Sequence, residues 1–135
     1  YLDILGLKNI SPLNSDNNKL TDFKCISNTD SILVSCAQNS LYGKEAKDED
    51  DWETTGRPEI QSFLARMYIN DCKKGIFITN SYFSDLAIEF VDNFNNKNQD
   101  VEIKLINGYE LTKSIRNHKY YILKEELLNE TKYNI

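Results

Sequence analysis

The sequence predicts an α/β domain in which a central mixed β-sheet is covered by helices on both faces. Residues 74–79 form a continuous apolar run typical of a buried strand. An apolar stripe at helical spacing then predicts a helix over residues 82–94, with Ser81 as its N-terminal cap. Residues 101–106 alternate between apolar and charged side chains, as half-buried strands do. Two strands joined by a helix run parallel, so these two strands are predicted to be adjacent and parallel.

Composition narrows the class of protein. The 135 residues, 40% of them hydrophobic, are enough for one domain with its own core. The net charge of -5 argues against a surface that binds nucleic acid everywhere, but it allows a local basic patch. Three cysteines without metal-binding spacing favour reduced thiols and an intracellular location, and no apolar run is long enough to span a membrane. Because the chain starts at Tyr1 without a Met, we expect residues 1–135 to be a piece of a longer protein.

The N-terminal part is predicted to contain a helix end, a loop and a β-hairpin. Residues 1–7 are typical of the last turns of a helix closed by Gly6, and residues 11–19 are rich in turn formers. Two β-rich runs, residues 20–27 and 31–37, flank an Asn-Thr turn. A two-residue turn here would place Asp22 opposite Ser35, Phe23 opposite Val34 and Cys25 opposite Ile32.

A polar segment and two further helices complete the predicted order. Residues 38–57 form a loop containing KEAKDEDDWE, with six acids against two lysines, and we expect it to be solvated. Trp52 in this loop either packs back onto the core or anchors a protein partner. Pro58 begins a helix, and a last helix is predicted near residues 119–131. The stripe assigned to the core of the Pro58 helix is Ile60, Phe63, Leu64, Met67 and Tyr68. The predicted core comprises Phe63, Met67, Ile76, Ile78, Phe83, Ala87, Phe90 and Leu105.

Residues 75–111, GIFITNSYFSDLA followed by VEIKLINGYEL, resemble the closing half of the Mrr-type restriction endonuclease catalytic domain of the PD-(D/E)xK nuclease superfamily. The matching features are a strand ending in Ile78-Thr79, the aromatic-Ser pair Phe83-Ser84, and Leu105-Ile106-Asn107-Gly108 with Leu111. The resemblance extends weakly over the hairpin and covers roughly residues 1–116. It implies a three-layer restriction-endonuclease-like fold, a central mixed β-sheet flanked by helices.

The resemblance also implies where a catalytic site would lie. In that family an Asp on the first hairpin strand is paired with Gln or Glu, any residue and Lys on the second strand. Two oxygen-bearing side chains hold Mg²⁺, which activates a water, and the Lys stabilises the developing negative charge. Here Asp22 matches the Asp, Ser35 stands in place of Gln or Glu, and Ala37 stands in place of Lys. We therefore expect no bound cofactor and no cleavage; Asp22 would bind Mg²⁺ only if the site is active.

Two rearrangements would instead give an active Mg²⁺-dependent DNA endonuclease. A shifted alignment recruits Gln38 together with a lysine from the loop, either Lys44 or Lys47. Alternatively, the neighbouring helix supplies the missing group, and its candidates are Glu59, Gln61 and Arg66.

Two classes of function follow from these residues. One is a non-cleaving, restriction-endonuclease-like domain that associates with DNA or binds a protein as a scaffold, and the other is the active nuclease. Candidate nucleic-acid contacts are Lys73, Lys74, Thr79, Ser81, Lys113 and Arg116. Without a basic surplus, the sequence favours a protein partner, with Trp52 as the anchor. The single histidine, His118, excludes multi-His metal sites, and no glycine-rich loop suggests a small-molecule cofactor.

Overall fold

The structure, a computed structural model, describes residues 7–13, 20–39 and 54–118. Its elements in chain order are β1 (Lys8–Leu13), β2 (Leu20–Ser27), β3 (Asp30–Ala37), β4 (Thr54–Thr55), α1 (Arg57–Ile69), β5 (Lys74–Thr79), β6 (Tyr82–Phe83), α2 (Asp85–Lys97) and β7 (Glu102–Ile106). Residues 108–118 are helical and are called α3. Residues 1–6 of the helix end expected over residues 1–7 lie outside the described residues, as does the helix expected at residues 119–131. No helix of the described ranges is long and apolar enough to cross a membrane.

The main sheet has five strands in the order β1-β2-β3-β5-β7. Strands β1, β2 and β3 are antiparallel, whereas β3, β5 and β7 are parallel. The predicted α/β class and the adjacent parallel strands at residues 74–79 and 102–106 are confirmed. The hairpin register is also confirmed, because Asp22 lies opposite Ser35 and Phe23 opposite Val34. Asn28 turns this hairpin with a φ of 55°, a left-handed conformation that Asn tolerates well.

The prediction of a loop over residues 11–19 is wrong for its first three residues. Residues 11–13 belong to β1, which pairs with β2. The pairing register shifts between Lys8 and Ser11, and Asn9 there has a φ of 55°. This irregularity lets turn-forming residues enter a strand, and the bonds to β2 outweigh their local preference.

The predicted start of the second helix is wrong by three residues. Ser84, not Ser81, caps α2, and its Oγ accepts a hydrogen bond from the Ala87 N–H at 3.2 Å. Residues 82–83 form the short strand β6, which pairs in parallel with β4. Both serines can cap a helix, but the pairing with β4 keeps the chain extended until Ser84.

Two hydrophobic clusters lie on opposite faces of the sheet. The first, under α1 and α2, contains Leu33, Ala37, Ile60, Phe63, Met67, Cys72, Phe77, Ala87, Val91 and Ile103. The second contains Leu7, Cys25, Ile32, Val34, Ile78 and Ile106, and Leu111 of α3 packs against it. Because side chains alternate between the two faces along each strand, both faces carry apolar side chains. Helices α1 and α2 cover one face, and α3 packs against the other.

Most of the predicted core is confirmed. Phe63, Met67, Ile78 and Ala87 are buried, while Ile76, Phe83, Phe90 and Leu105 are half-buried and pack against the clusters. Tyr68 is the exception, since 86% of it is exposed, and its assignment to the core was wrong. It lies near the end of α1 beside Ile69, which is also exposed, where the helical period alone does not show how far the sheet extends.

Two glycines allow elements to approach closely. A Cβ at Gly75 would lie 2.8 Å from the Phe63 ring, because α1 packs directly on β5 there. A Cβ at Gly108 would overlap the backbone carbonyl oxygen of Asn80, and the Gly108 N–H donates to the Ser81 carbonyl at 2.8 Å. The start of α3 is therefore held against the segment that follows β5.

The close approach at Gly108 predicts the effect of adding one methyl group. We expect Gly108→Ala to lower the free energy of unfolding by about 1–3 kcal/mol, as overpacking does, although Ala favours helices more than Gly. Urea denaturation measures the loss. Asn117→Ala, at an exposed position of the same helix, is the control and should change stability by less than about 0.5 kcal/mol. Equal effects of the two substitutions would contradict this packing.

Candidate functional site

Asp22 and Ser35 lie side by side on the face of the sheet that α1 covers. They are directly opposite each other in the β2–β3 hairpin, and directly opposed residues of an antiparallel pair share a face. Asp22 is 5% exposed and Ser35 is completely buried. A carboxylate this deep in a sheet needs a partner for its charge.

The partner of Asp22 is the Arg66 guanidinium, which projects from α1. The Arg66 Nε donates to Asp22 Oδ2 at 2.7 Å, and Nη2 lies 3.5 Å from Asp22 Oδ1. The same Nη2 donates to Ser35 Oγ at 3.2 Å, and Nη1 donates to Ser62 Oγ at 3.0 Å. Both oxygens of the carboxylate are thus engaged by a cation, the arrangement that gives the strongest charge-assisted bonds.

The packing of α1 explains why Arg66 reaches this position. Ile60, Phe63 and Met67 are buried against the sheet, so Arg66 lies at the border of the buried stripe, one turn after Phe63. Its guanidinium carbon is 5.7 Å from the centre of the Phe63 ring, a cation–π distance. At the end of the helix, Lys24 Nζ on β2 donates to the Asn70 carbonyl at 3.1 Å. The Arg66–Asp22 and Lys24–Asn70 contacts together hold α1 over the hairpin.

Neutral polar groups surround the position that the family gives to Lys. Ala37 lies opposite Thr79 in the parallel pairing of β3 with β5. Asn39 follows, and its Nδ2 donates to Thr55 Oγ1 at 3.0 Å and to Thr79 Oγ1 at 3.2 Å. Its backbone N–H donates to Asn80 Oδ1 at 2.8 Å, and Asn80 Nδ2 donates back to the Asn39 carbonyl. This cluster, Asn39, Thr55, Thr79 and Asn80, stabilises itself and presents no charge toward Asp22.

The residues at Asp22 do not fit the Mg²⁺ ion that this kind of fold implies. Mg²⁺ requires oxygen ligands, and the oxygens of Asp22 already accept hydrogen bonds from Arg66. Ser35 contributes a hydroxyl in place of a carboxylate or amide oxygen. Within the described ranges, no three His, Cys, Asp or Glu side chains converge on one point where an ion could bind. A divalent cation here would compete directly with the guanidinium.

The structure describes the candidate residues of the two rearrangements to different extents. Lys44 and Lys47 lie outside the described residues, and Gln38 is exposed, next to Ala37 on the opposite side of the strand. Glu59 and Gln61 are exposed on α1, and Glu59 Oε2 accepts from the Gly56 N–H at the start of that helix.

Of the three candidates on α1, the structure brings Arg66 to Asp22. A guanidinium remains protonated and cannot act as a general base, so the ion pair is its chemistry here.

The candidate nucleic-acid contacts do not form one surface. Thr79 and Ser81 are each 1% exposed, so their side chains lie inside the protein. Lys73 and Lys74 lie at the start of β5 and Thr79 lies at its end. Because a strand rises about 3.3 Å per residue, the length of the strand separates the two lysines from Thr79. Lys74 pairs with Asp30 at 2.9 Å, and this hydrogen bond raises the pKa of Lys74.

Lys113 and Arg116 are exposed on α3, on the other face of the sheet from Asp22. Trp52, the predicted anchor for a protein partner, lies outside the described residues.

The cysteines offer no alternative nucleophile. Cys25, Cys36 and Cys72 are all free thiols. Burial raises the pKa of all three thiols above the ordinary value. Asp22 raises the pKa of Cys36 further, because a second negative charge nearby is unfavourable. Protonated thiols are weak nucleophiles and weak metal ligands.

Sequence reasoning included Arg66 among the helical candidates but missed its ion pair with Asp22. The available signal was its position one turn after the core residue Phe63, at the edge of the apolar stripe. The roles of Asn39, Thr55 and Ser62 were missed entirely. Neutral polar residues in a polar segment or on an exposed helical face carry no pattern that distinguishes them from solvated ones.

Comparison with known families agrees with this architecture. A family model described as restriction endonuclease, that of the Mrr catalytic domain, matches residues 27–115, well over half of the chain. The matched region contains β3 to β7 with α1 and α2, and it begins after Asp22. No curated protein matches the chain.

Breaking the ion pair tests its contribution to stability. We expect Arg66→Ala to lower the free energy of unfolding by about 1–3 kcal/mol, because it leaves a buried carboxylate without its donors. Asp22→Asn removes the negative charge that Arg66→Ala would leave unpaired. The double variant should therefore lose less free energy of unfolding than the sum of the two single losses. Urea denaturation of all four proteins gives this coupling, and strictly additive losses would contradict the pair. Arg57→Ala, an exposed position on the same helix, should change stability by less than about 0.5 kcal/mol.

Proposed function

We propose, because the chain belongs to the restriction endonuclease family, that this domain is a member that does not cleave DNA and serves as a DNA-associated binding module. The observation that carries this proposal is the Arg66 guanidinium bound to both oxygens of Asp22. A cation of the protein occupies the carboxylate that a catalytic metal ion would need.

The chemistry of phosphodiester hydrolysis supports the loss of cleavage. The reaction develops negative charge on phosphate oxygens, which a metal ion and a lysine stabilise in an active member. Here Asp22 is neutralised by Arg66, Ser35 brings no charge, and Ala37 has a methyl group where the ammonium would be. Among the described residues around Asp22, the usual groups for activating water and for stabilising the transition state are not present.

The basic face of α3 supports association with DNA. Lys113 and Arg116 are exposed one turn apart, with the side chains of Thr112 and Asn117 beside them. Arg and Lys with hydroxyl and amide donors are the usual partners of phosphate oxygens. Tyr109, 67% exposed on the same stripe, adds an aromatic surface. Because α3 lies across the sheet from Asp22, this contact does not depend on the altered catalytic position.

A second candidate role, protein binding, is favoured by one apolar surface. Tyr68 and Ile69 are 86% and 76% exposed at the end of α1. Tyr68 lines a groove of about 440 Å³ whose apolar lining also includes Leu64, Phe94 and Val101. Aromatic and aliphatic side chains of this kind form the centres of protein interfaces. The three free thiols support an intracellular location for either role.

A cleavage assay tests the first part of the proposal. Supercoiled plasmid and single-stranded DNA incubated with the protein and Mg²⁺ or Mn²⁺ should remain intact, because the described residues place neither a second carboxylate nor a catalytic lysine beside Asp22. Asp22→Ala is the control for contaminating nucleases. Nicking by the wild-type protein that Asp22→Ala abolishes would overturn the proposal and establish the active, rearranged nuclease.

Salt-dependent DNA binding tests the second part. We expect the affinity for a duplex to fall as salt rises, and Lys113→Gln with Arg116→Gln should reduce the slope of log K against log salt by about 2, one for each lost phosphate contact. Fluorescence anisotropy with a labelled duplex measures both quantities. Lys97→Gln, an exposed lysine at the end of α2, should leave the slope unchanged.

The same titration distinguishes the two binding roles. An unchanged slope in the α3 double variant would exclude the basic face of α3 as the contact. Binding too weak to detect even at low salt would exclude DNA association and leave protein binding at the Tyr68 and Ile69 surface.

A further inference from the structure

Strand β7 forms one edge of the five-stranded sheet and is bonded on one side to β5. The backbone groups of Glu102 point toward β5, since its N–H donates to the Lys73 carbonyl at 2.9 Å. In a parallel pair the next residue along, Ile103, directs its N–H and C=O to the opposite side. Among the described residues no strand pairs with that side of β7. An edge of this kind is a template for another strand.

The side chain of Asn95 occupies both outward groups of Ile103. Its Nδ2 donates to the Ile103 carbonyl at 2.8 Å, and the Ile103 N–H donates to its Oδ1 at 3.0 Å. One amide thus reproduces the two hydrogen bonds that a neighbouring strand would make at this residue. Asn95 lies two residues before the end of α2, so the helix that covers one face of the sheet also closes its edge at this point.

The sequence around Ile103 shows which strand would fit the edge if Asn95 were absent. A residue with both groups directed outward can pair with its own copy across a two-fold axis, in an antiparallel hydrogen-bonded pair. That register sets Glu102 of each copy opposite Lys104 of the other, and cross-strand pairs of opposite charge are favourable. The β7 edge is therefore complementary in hydrogen bonding and in charge to a second copy of itself.

We propose that Asn95 is an edge-blocking residue that prevents two copies of this domain from pairing through β7, in an antiparallel register centred on Ile103. Natural sheets protect their edges with charges, prolines, bulges or covering loops. Here a helical amide does so by binding the backbone groups directly. The block is specific to the residue at the centre of the two-fold register.

Replacing Asn95 tests whether its side-chain amide blocks the β7 edge. Asn95→Ala should raise the weight-average mass in sedimentation equilibrium above that of the wild-type protein, increasingly with concentration. Asn98→Ala is the matched control, because Asn98 Nδ2 donates to the Phe94 carbonyl at 2.9 Å in the same helix but does not touch β7. Asn95→Ser, whose hydroxyl is too short to bind both groups, is measured in parallel and should associate in the same way if the alanine variant does not fold.

A charge reversal tests the register. Lys104→Glu in the Asn95→Ala background would place Glu102 opposite a second glutamate, so the mass should return to the wild-type value. Adding Glu102→Lys should restore association by exchanging the two charges. If Asn95→Ala and Asn95→Ser associate no more than Asn98→Ala, the edge-blocking role is overturned. Association that Lys104→Glu leaves unchanged overturns the register.

Discussion

The packing of α1 on strand β5 determines where the Arg66 guanidinium lies relative to Asp22. The Phe63 ring meets Phe77 edge to face at 5.3 Å, and Gly75 leaves room for Phe63 and Met67 to approach the sheet. This contact sets both the distance of α1 from the sheet and the rotation of α1 about its own axis. A larger residue at Gly75 would move α1 away from the sheet and Arg66 away from Asp22.

The environment of Asp22 is arranged around neutralising one buried negative charge within the protein. In an active metal-dependent nuclease, charges of the same sign are held close together so that a cation can bind them and act on the substrate. Arg66 donates to both oxygens of Asp22, and it also donates to the hydroxyl groups of Ser35 and Ser62. The site is consequently balanced in charge and filled with hydrogen bonds, which favours stability over reactivity.

The sequence predicted the parts of the fold that depend on periodicity. The parallel strands around α2, the hairpin register and the buried stripe of α1 all follow from the spacing of apolar residues. Strand β1 and the cap at Ser84 were not predicted, because pairing partners distant in sequence decided between two locally acceptable conformations.

From the sequence, only the residues of the candidate site that depart from the family's pattern could be identified. The resemblance to the family places Ser35 and Ala37 at the positions where functional groups are expected, whereas the partner of Asp22 lies 44 residues away on another element. Its identity depends on how the helix rotates over the sheet, and the spacing of apolar residues fixes that rotation only within about one position.

Under the proposed loss of cleavage, the Arg66–Asp22 pair also constrains how successive mutations could introduce catalysis. A carboxylate introduced at position 35 while Arg66 is present would become a second partner of the guanidinium and leave no ligand for a metal ion. Losing Arg66 first would leave Asp22 buried with its charge uncompensated. Each single step is therefore expected to cost stability or to bring no activity, so the effect of a substitution at position 35 depends on whether Arg66 is present.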